Sequence, residues 1–305
     1  MSIYHGPFVS HMMAKNFSKK FNIPWLALIK DYWSIPHKHQ NAYLYDLNLS
    51  RIRLFLQNIK HTIRRYQETS ILKYAKILVP HCEPIAEYLS NILPAMNIKI
   101  LSNCFDDDDF HDFKRETLSN PKVFRAVCMG APVTDEPYHA LFKSLAVLNR
   151  MSSIEKTSFR VQFIGNSKEL MESYAAFYSC QEIVDILPHV DHDKAMEILN
   201  TSTCLLFPNR GPTLARKLPE YMAAKKPILV FPYYQDSASQ KILEKYGISV
   251  IAHDHEDIER TLYDWYRIFM EGGNLTENVN EDLVNTFKAS NRALELQELL
   301  GSIIQ

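Results

Sequence analysis

Short apolar, β-rich runs alternate with helix-length amphipathic stretches along nearly the whole chain, and this alternation constrains the fold more than any other feature. The spacing predicts strands at Ser2–Tyr4, Trp25–Ile29, Lys76–Pro80, Ile98–Leu101, Phe124–Met129, Arg160–Ile164, Ile183–Leu187, Cys204–Pro208, Pro227–Phe231 and Ile248–Ala252. It predicts helices over His11–Phe21, Tyr43–Tyr74, Ile85–Leu93, Tyr138–Arg150, Lys168–Tyr178, Lys194–Asn200, Leu214–Ala224, Ser237–Tyr246 and Glu256–Met270. Apolar strands separated by helix-length segments indicate parallel sheets built from βαβ units. Such sheets are covered on both faces, so runs like Ile228–Phe231 are continuously apolar rather than alternating. At ~150 residues per domain, 305 residues make about two domains. The acidic, polar segment Asp106–Asn120 lacks apolar periodicity and marks the boundary. The expected class is therefore α/β with two Rossmann-like domains. Residues 1–112 form the first, which is incomplete at its start; 113–275 form the second; 276–305 form C-terminal helices.

Composition narrows the function classes. Hydrophobic residues at 46% and charged residues at 23% exclude a disordered chain. Glycine is scarce, 8 residues against 15 prolines, and neither GxGxxG nor GxxxxGK[ST] occurs, which argues against a glycine-rich phosphate loop. Apolar runs such as Pro227–Pro232 are far shorter than the ~18 residues of a membrane span. Met1–Gly6 lacks the basic start and apolar stretch of a signal peptide. Five scattered cysteines without CxxC spacing fit a reducing cytosol. The formal net charge of −1 hides an asymmetry: residues 1–80 hold 12 Lys+Arg against 3 Asp+Glu, and the remainder 22 against 32. The basic end points to an anionic surface or ligand, or to solvated helix faces.

The stretch Arg216–Val230 (RKLPEYMAAKKPILV) resembles the K-L-x-E-Y-(L/M)-A-x-x-(K/R)-P-(I/V)-L signature of family 4 glycosyltransferases, which have the GT-B fold. Other pieces follow in the family's order. His5-Gly-Pro-Phe resembles its acceptor-side loop, and Ile23–Trp33 its strand ending in (R/K)D.W. Leu101–Phe110 resembles the hinge into the second domain, Val161–Gly165 the "f.iiG" strand, and Leu187–Leu199 the element after it. The resemblance covers about residues 1–255 and implies a first domain lacking its opening βαβ units, which would leave a sheet edge exposed. It also implies a retaining transfer of a sugar from a nucleotide-sugar donor to a polysaccharide or lipid-linked glycan in cell-surface polysaccharide synthesis. In such enzymes the leaving diphosphate assists deprotonation of the incoming hydroxyl, and no metal or other cofactor is required.

The residues themselves allow that chemistry. A helix starting near Leu214 after the Gly211–Pro212 turn would offer free N–H groups and a positive dipole end to a diphosphate. Arg210, Arg216 and Lys217 add positive charge, or else lie on a solvated helix face. Gly130, ending the first strand of the second domain, would let a phosphate approach the backbone. By resemblance Glu220 binds the ribose hydroxyls, and His189 with Pro188 lies near the base. Lys30 and Asp31 end an apolar strand, where ligands of open α/β sheets bind. Asp31 is the candidate to face the transferred sugar, or alternatively a helix N-cap; His5, and less so His11, are further catalytic candidates. His37 with His39 and His253 with His255 lack the partners a metal site needs. Two departures from the family stand out. Pro212 replaces the first of its paired glutamates, and Ala131 follows Gly130 where many members carry Arg.

Between Arg51 and Arg65 the residues Arg51, Arg53, Lys60, Arg64 and Arg65 interleave with Ile52, Phe55, Leu56, Ile59 and Ile63 at helical spacing. This is a basic amphipathic helix, able to dock on anionic lipid at the inner face of a cell membrane or to serve as an ordinary core helix. No nucleic-acid recognition motif accompanies it. Three functional readings follow: a glycosyltransferase, a catalytically inactive GT-B remnant serving as a binding or scaffold protein, and, less favoured, another GT-B enzyme such as a nucleotide-sugar epimerase.

Overall fold

The computed structural model describes residues 2–4, 8–34, 51–110, 123–130 and 136–304. The chain divides into two compact units. The first comprises Met1–Cys104, Gly211–Arg216 and Phe287–Gln305; the second comprises Phe105–Arg210 and Lys217–Thr286. The final residues are thus shared between the units instead of standing apart.

In the first unit, β1 (Ser2–Tyr4), β2 (Leu26–Ile29) and β3 (Ile77–Pro80) form a parallel sheet in the order β1-β2-β3. The crossovers carry α1 (Val9–Phe21) and α2 (Arg51–Leu72), and α3 (Glu83–Ile92) follows β3. Every residue of β2 and β3 is buried, as their unbroken apolar runs require. The strand expected at Ile98–Leu101 is reduced to a single bridge, Leu78 to Ile98. The reason lies in Pro80. Leu78 donates to Asn97 O, and Lys99 and Leu101 donate to Leu78 O and Pro80 O, but Pro80 has no N–H with which to continue the ladder. The face of this sheet formed by Leu26, Leu28, Ile77 and Val79 is covered by Leu296, Leu299, Leu300 and Ile303.

In the second unit, six parallel strands lie in the order β6-β5-β4-β7-β8-β9. They are β4 (Phe124–Met129), β5 (Phe159–Ile164), β6 (Val184–Leu187), β7 (Cys204–Pro208), β8 (Ile228–Phe231) and β9 (Ser249–Ile251). The crossover helices are α4 (Glu136–Arg150), α5 (Lys168–Phe177), α6 (His192–Thr201), α7 (Leu218–Ala223) and α8 (Ala238–Leu243), and α9 (His255–Met270) follows β9. Phe124 and Phe159 stack at 5.3 Å, and Phe142 stacks on Phe163 at 5.2 Å, so the core is a layer of interlocked aromatic and aliphatic side chains. Two helices complete the chain: α10 (Glu281–Asn285) and α11 (Ala289–Ile304), the latter carrying the leucines that cover the first unit's sheet.

Strand order reverses between β4 and β7. This is the doubly wound arrangement, and the C-terminal ends of those two strands flank the crevice where ligands of open α/β sheets bind.

Candidate functional site

At that switch point Gly130 follows β4 with a φ of 116°, a conformation that side chains with a Cβ rarely adopt. Its N–H donates to Ile164 O at 2.9 Å. Arg210, two residues after β7, brings a guanidinium nitrogen 4.0 Å from where a Cβ on Gly130 would stand. The guanidinium also lies 3.4 Å from the hydroxyl of the buried Tyr138. Burial pushes the Cys128 thiol up to about 11, while the charges of Arg210 and Lys217 work against that shift. Both cations therefore act at the end of β4.

What holds Lys217 and Glu220 there is Tyr221. Its buried hydroxyl accepts from the Met129 N–H at 2.8 Å and lies 3.5 Å from Leu206 O, tying α7 to both switch-point strands. Asn209, also buried, donates its backbone N–H to Phe231 O at 2.6 Å and accepts from Ser237 Oγ at 3.0 Å, which fixes the turn carrying Arg210.

The helix expected from Leu214 starts instead at Leu218, with Pro219 in its first turn, and is six residues long. Proline suits a first turn because its missing N–H is not needed there. Leu214–Lys217 are therefore an approach to the helix, and Arg216 and Lys217 are exposed turn residues rather than helix-face residues. The boundary between the units passes between them, with Arg216 in the first and Lys217 in the second.

His189 lies exposed just beyond β6. A small recess beside Gly130 is lined by Gly165, Ser167, Lys168 and Leu187. Glu220 is half-buried, and its charge reaches His192. His192 Nε2 bonds Asp109 Oδ1 at 2.8 Å, and this carboxylate is the main reason the imidazole is raised above its usual value. Sequence reasoning missed Tyr138, Tyr221, Asn209, Ser167 and Lys168. It also missed the Asp109–His192 pair, although the acidic run Asp106–Asp109 and the helix-opening Asp191-His192 were both visible as signals.

In the first unit Asp31 lies exposed in a bend after β2. No helix starts there among the described residues, so the N-cap alternative is not realised. Lys30 donates to Asn103 Oδ1 at 3.0 Å, and burial holds its ammonium below the usual lysine value. His81, buried beside it, has its Nε2 3.2 Å from Leu214 O and is likewise lowered by burial. His11 corrects an expectation. It is wholly buried against Phe8 and near Trp25, and burial lowers it to about 4, so it is a neutral core residue. His5 lies outside the described residues, as do His37 and His39.

On α2, Lys60 and Arg65 are exposed, and the Arg64 guanidinium lies 5.1 Å from the Trp33 ring. Arg51 and Arg53 open the helix, and their side chains lie outside the described residues. Of the apolar set, Leu56, Ile59 and Ile63 are 58%, 42% and 53% exposed and so do not form a core face. No helix among the described residues is long and apolar enough to cross a membrane.

This architecture, two parallel-sheet units with the second doubly wound, is the GT-B fold of glycosyltransferases of known structure. Sucrose-phosphate synthase from Thermosynechococcus elongatus superposes with a TM-score of 0.67 at 14% identity, covering 99% of this chain and 72% of that one. A glycosyltransferase from Rickettsia africae gives 0.64 at 14% identity, covering 97% and 80%. HepE from Anabaena, in complex with UDP and glucose, gives 0.64 at 11% identity, covering 99% and 78%. No family model matches the chain, and no curated protein matches it in sequence.

Proposed function

We propose that the protein is a glycosyltransferase that moves a sugar from a nucleotide-sugar donor to a polysaccharide or lipid-linked glycan acceptor, with retention of anomeric configuration, in cell-surface polysaccharide or lipopolysaccharide synthesis. The observation that carries this reading is the Arg210 guanidinium beside the side-chain-free Gly130 at the switch point. A diphosphate can approach the backbone there and meet a planar cation able to fork onto two of its oxygens. From β6 to β7 the sheet edge spans three strand spacings, ~14 Å. That matches an extended nucleoside diphosphate with its base near His189, its ribose at Glu220 and its phosphates at Gly130, Arg210 and Lys217. Arg216, in the first unit, is proposed to add to the phosphate charge, and Asp31 and His5 to meet the transferred sugar. The UDP held by HepE supports a uridine nucleotide as the first donor to try.

In this reading the bond from the anomeric carbon to the diphosphate oxygen breaks, and a bond from that carbon to the acceptor hydroxyl oxygen forms on the same face. The hydroxyl proton passes to an oxygen of the departing diphosphate. Arg210 and Lys217 stabilise the charge that develops on the diphosphate, so positioning and charge stabilisation accelerate the reaction without a protein nucleophile or metal. The basic helix α2, with Lys60, Arg64 and Arg65 and in sequence Arg51 and Arg53, is proposed to rest on anionic lipid at the cytoplasmic face of the membrane, bringing the enzyme to a lipid-linked acceptor.

The test is thermal unfolding with and without UDP, GDP, ADP and their sugar conjugates. A ligand at 100 times its dissociation constant adds about 2.7 kcal/mol of stability, a shift of a few degrees. One nucleotide is expected to produce it, and Arg210→Ala or Lys217→Ala is expected to weaken binding ~10-fold or more, the scale of a charged hydrogen bond. A cooperative transition that no nucleotide moves would reject the enzyme in favour of an inactive binding or scaffold role, for which the replacement of the first paired glutamate by Pro212 speaks.

A further inference from the structure

The first unit contains a groove between α1 and α2 that the donor-side reading does not use. Phe8, Met12, Lys15 and Asn16 line one wall, Gln67, Ser70 and Ile71 the other, and Trp33 stands between them, around a cavity of about 290 Å³. That is about ten water volumes at ~30 Å³ each, near the lower end of small-molecule sites. At one end Phe8 stacks on Trp33 at 5.2 Å, the Arg64 guanidinium lies 5.1 Å from the Trp33 ring, and Met12 is 48% exposed. At the other end Lys15 lines the cavity and donates to Ser70 O at 3.2 Å, and just outside the lining the ammonium groups of Lys19 and Lys73 join it around one ring, that of Tyr74, at 4.1, 5.4 and, for Lys15, 4.9 Å from its centre. Among the described residues, no carboxylate lines the cavity. The nearby Glu68 is turned into a buried network with Ser34 and Tyr88.

Three like charges around one phenol repel one another, and an anion among them would relieve that repulsion. An aromatic and thioether trough leading away from such a cluster accepts an apolar chain. We infer that this groove binds a single-chain amphiphile with an anionic head, an alkyl or isoprenyl phosphate, its phosphate among Lys15, Lys19 and Lys73 and its chain along Met12, Phe8 and Trp33. Such a site would give the first unit a specific hold on the lipid part of a lipid-linked acceptor. In that sense the inference rests on the proposed function, but the binding itself does not depend on the donor site.

The experiment is a titration of the full-length protein with dodecyl phosphate kept below its micelle concentration, followed by calorimetry and by Trp33 fluorescence, with Trp33→Phe to assign the signal. Saturable one-to-one binding is expected, with dodecanol and inorganic phosphate each at least 10-fold weaker. Lys15→Gln combined with Lys19→Gln is expected to weaken binding at least 10-fold by removing the head contacts, and Met12→Trp to weaken it by filling the trough. Circular dichroism establishes that each variant is folded. Equal affinity for dodecanol would overturn the anionic head, and equal affinity for inorganic phosphate would overturn the chain site. Adsorption to anionic vesicles without binding of the monomeric phosphate would replace the groove with a general surface attraction. Arg210→Ala is expected to bind dodecyl phosphate as the unaltered protein does. A protein that binds the lipid phosphate but no nucleotide would therefore sink the donor reading and leave the groove standing.

Discussion

Tyr221 joins two strands through one oxygen, and its importance follows from burial. Removing the hydroxyl strands the buried Met129 N–H, a loss of ~1–3 kcal/mol. Tyr221→Phe is therefore expected to lower the melting temperature by a few degrees and to weaken nucleotide binding by loosening Lys217 and Glu220, read by calorimetry with and without UDP. Glu68 gives a pH prediction. Its carboxyl accepts from Ser34 Oγ and Tyr88 OH at 2.6 Å each, yet burial outweighs those bonds and raises it above the usual carboxyl value. The folded state then holds a proton that the unfolded state has released, so stability is full below the ordinary glutamate range and falls as pH rises through the raised value. Glu68→Gln is expected to flatten the slope of urea stability against pH just above that range, and an unchanged slope would show that another group sets it. Sequence made individual charges such as Arg210 and Lys217 legible because residue types name their own chemistry. It could not make Tyr138, Tyr221 or Glu68 legible, because their roles depend on which partner each meets after folding.

The elements were legible in proportion to their burial. Phe124–Met129 and Cys204–Pro208 are strands over the full runs read from sequence, since buried parallel strands must be continuously apolar. The start of α7 at Leu218 has a local cause. Leu214, Leu218, Tyr221 and Met222 repeat at helical spacing, but Pro219 favours the first turn, and it was the signal to follow. Pro80 likewise cut the expected fourth strand of the first sheet to one bridge. In α2 the apolar period was real, but its meaning was open until Leu56, Ile59, Ile63 and Tyr66 proved exposed, the last by 74%. Ile63→Glu is accordingly expected to change stability by no more than ~0.5 kcal/mol, as at other exposed positions. If α2 rests on lipid, the same change lowers co-sedimentation with anionic vesicles several-fold, and undiminished co-sedimentation would take α2 out of that contact.

Two doubly covered parallel sheets could be anticipated for the whole chain from its alternation of runs, but the return of the C-terminus to the first unit could not, because packing partners far apart in sequence leave no periodic trace. Leu296, Leu299, Leu300 and Ile303 of α11 are partly buried on β2 and β3. At half the value of full burial, four such side chains contribute ~3–6 kcal/mol. Deleting residues 289–305 is expected to lower the melting transition of the first unit while leaving nucleotide-dependent stabilisation of the second in place, seen as two separated calorimetric peaks. Loss of both transitions together would show that the units do not melt independently. The same feature sets a timetable during synthesis. The first unit's strands leave the ribosome early, but their cover follows about 200 residues later, ~10–40 s at ~5–20 residues per second. Through that interval the apolar face of Leu26, Leu28, Ile77 and Val79 lacks the cover that Leu296, Leu299, Leu300 and Ile303 give it in the folded unit, a delay that a protein folding one unit after the other would not meet.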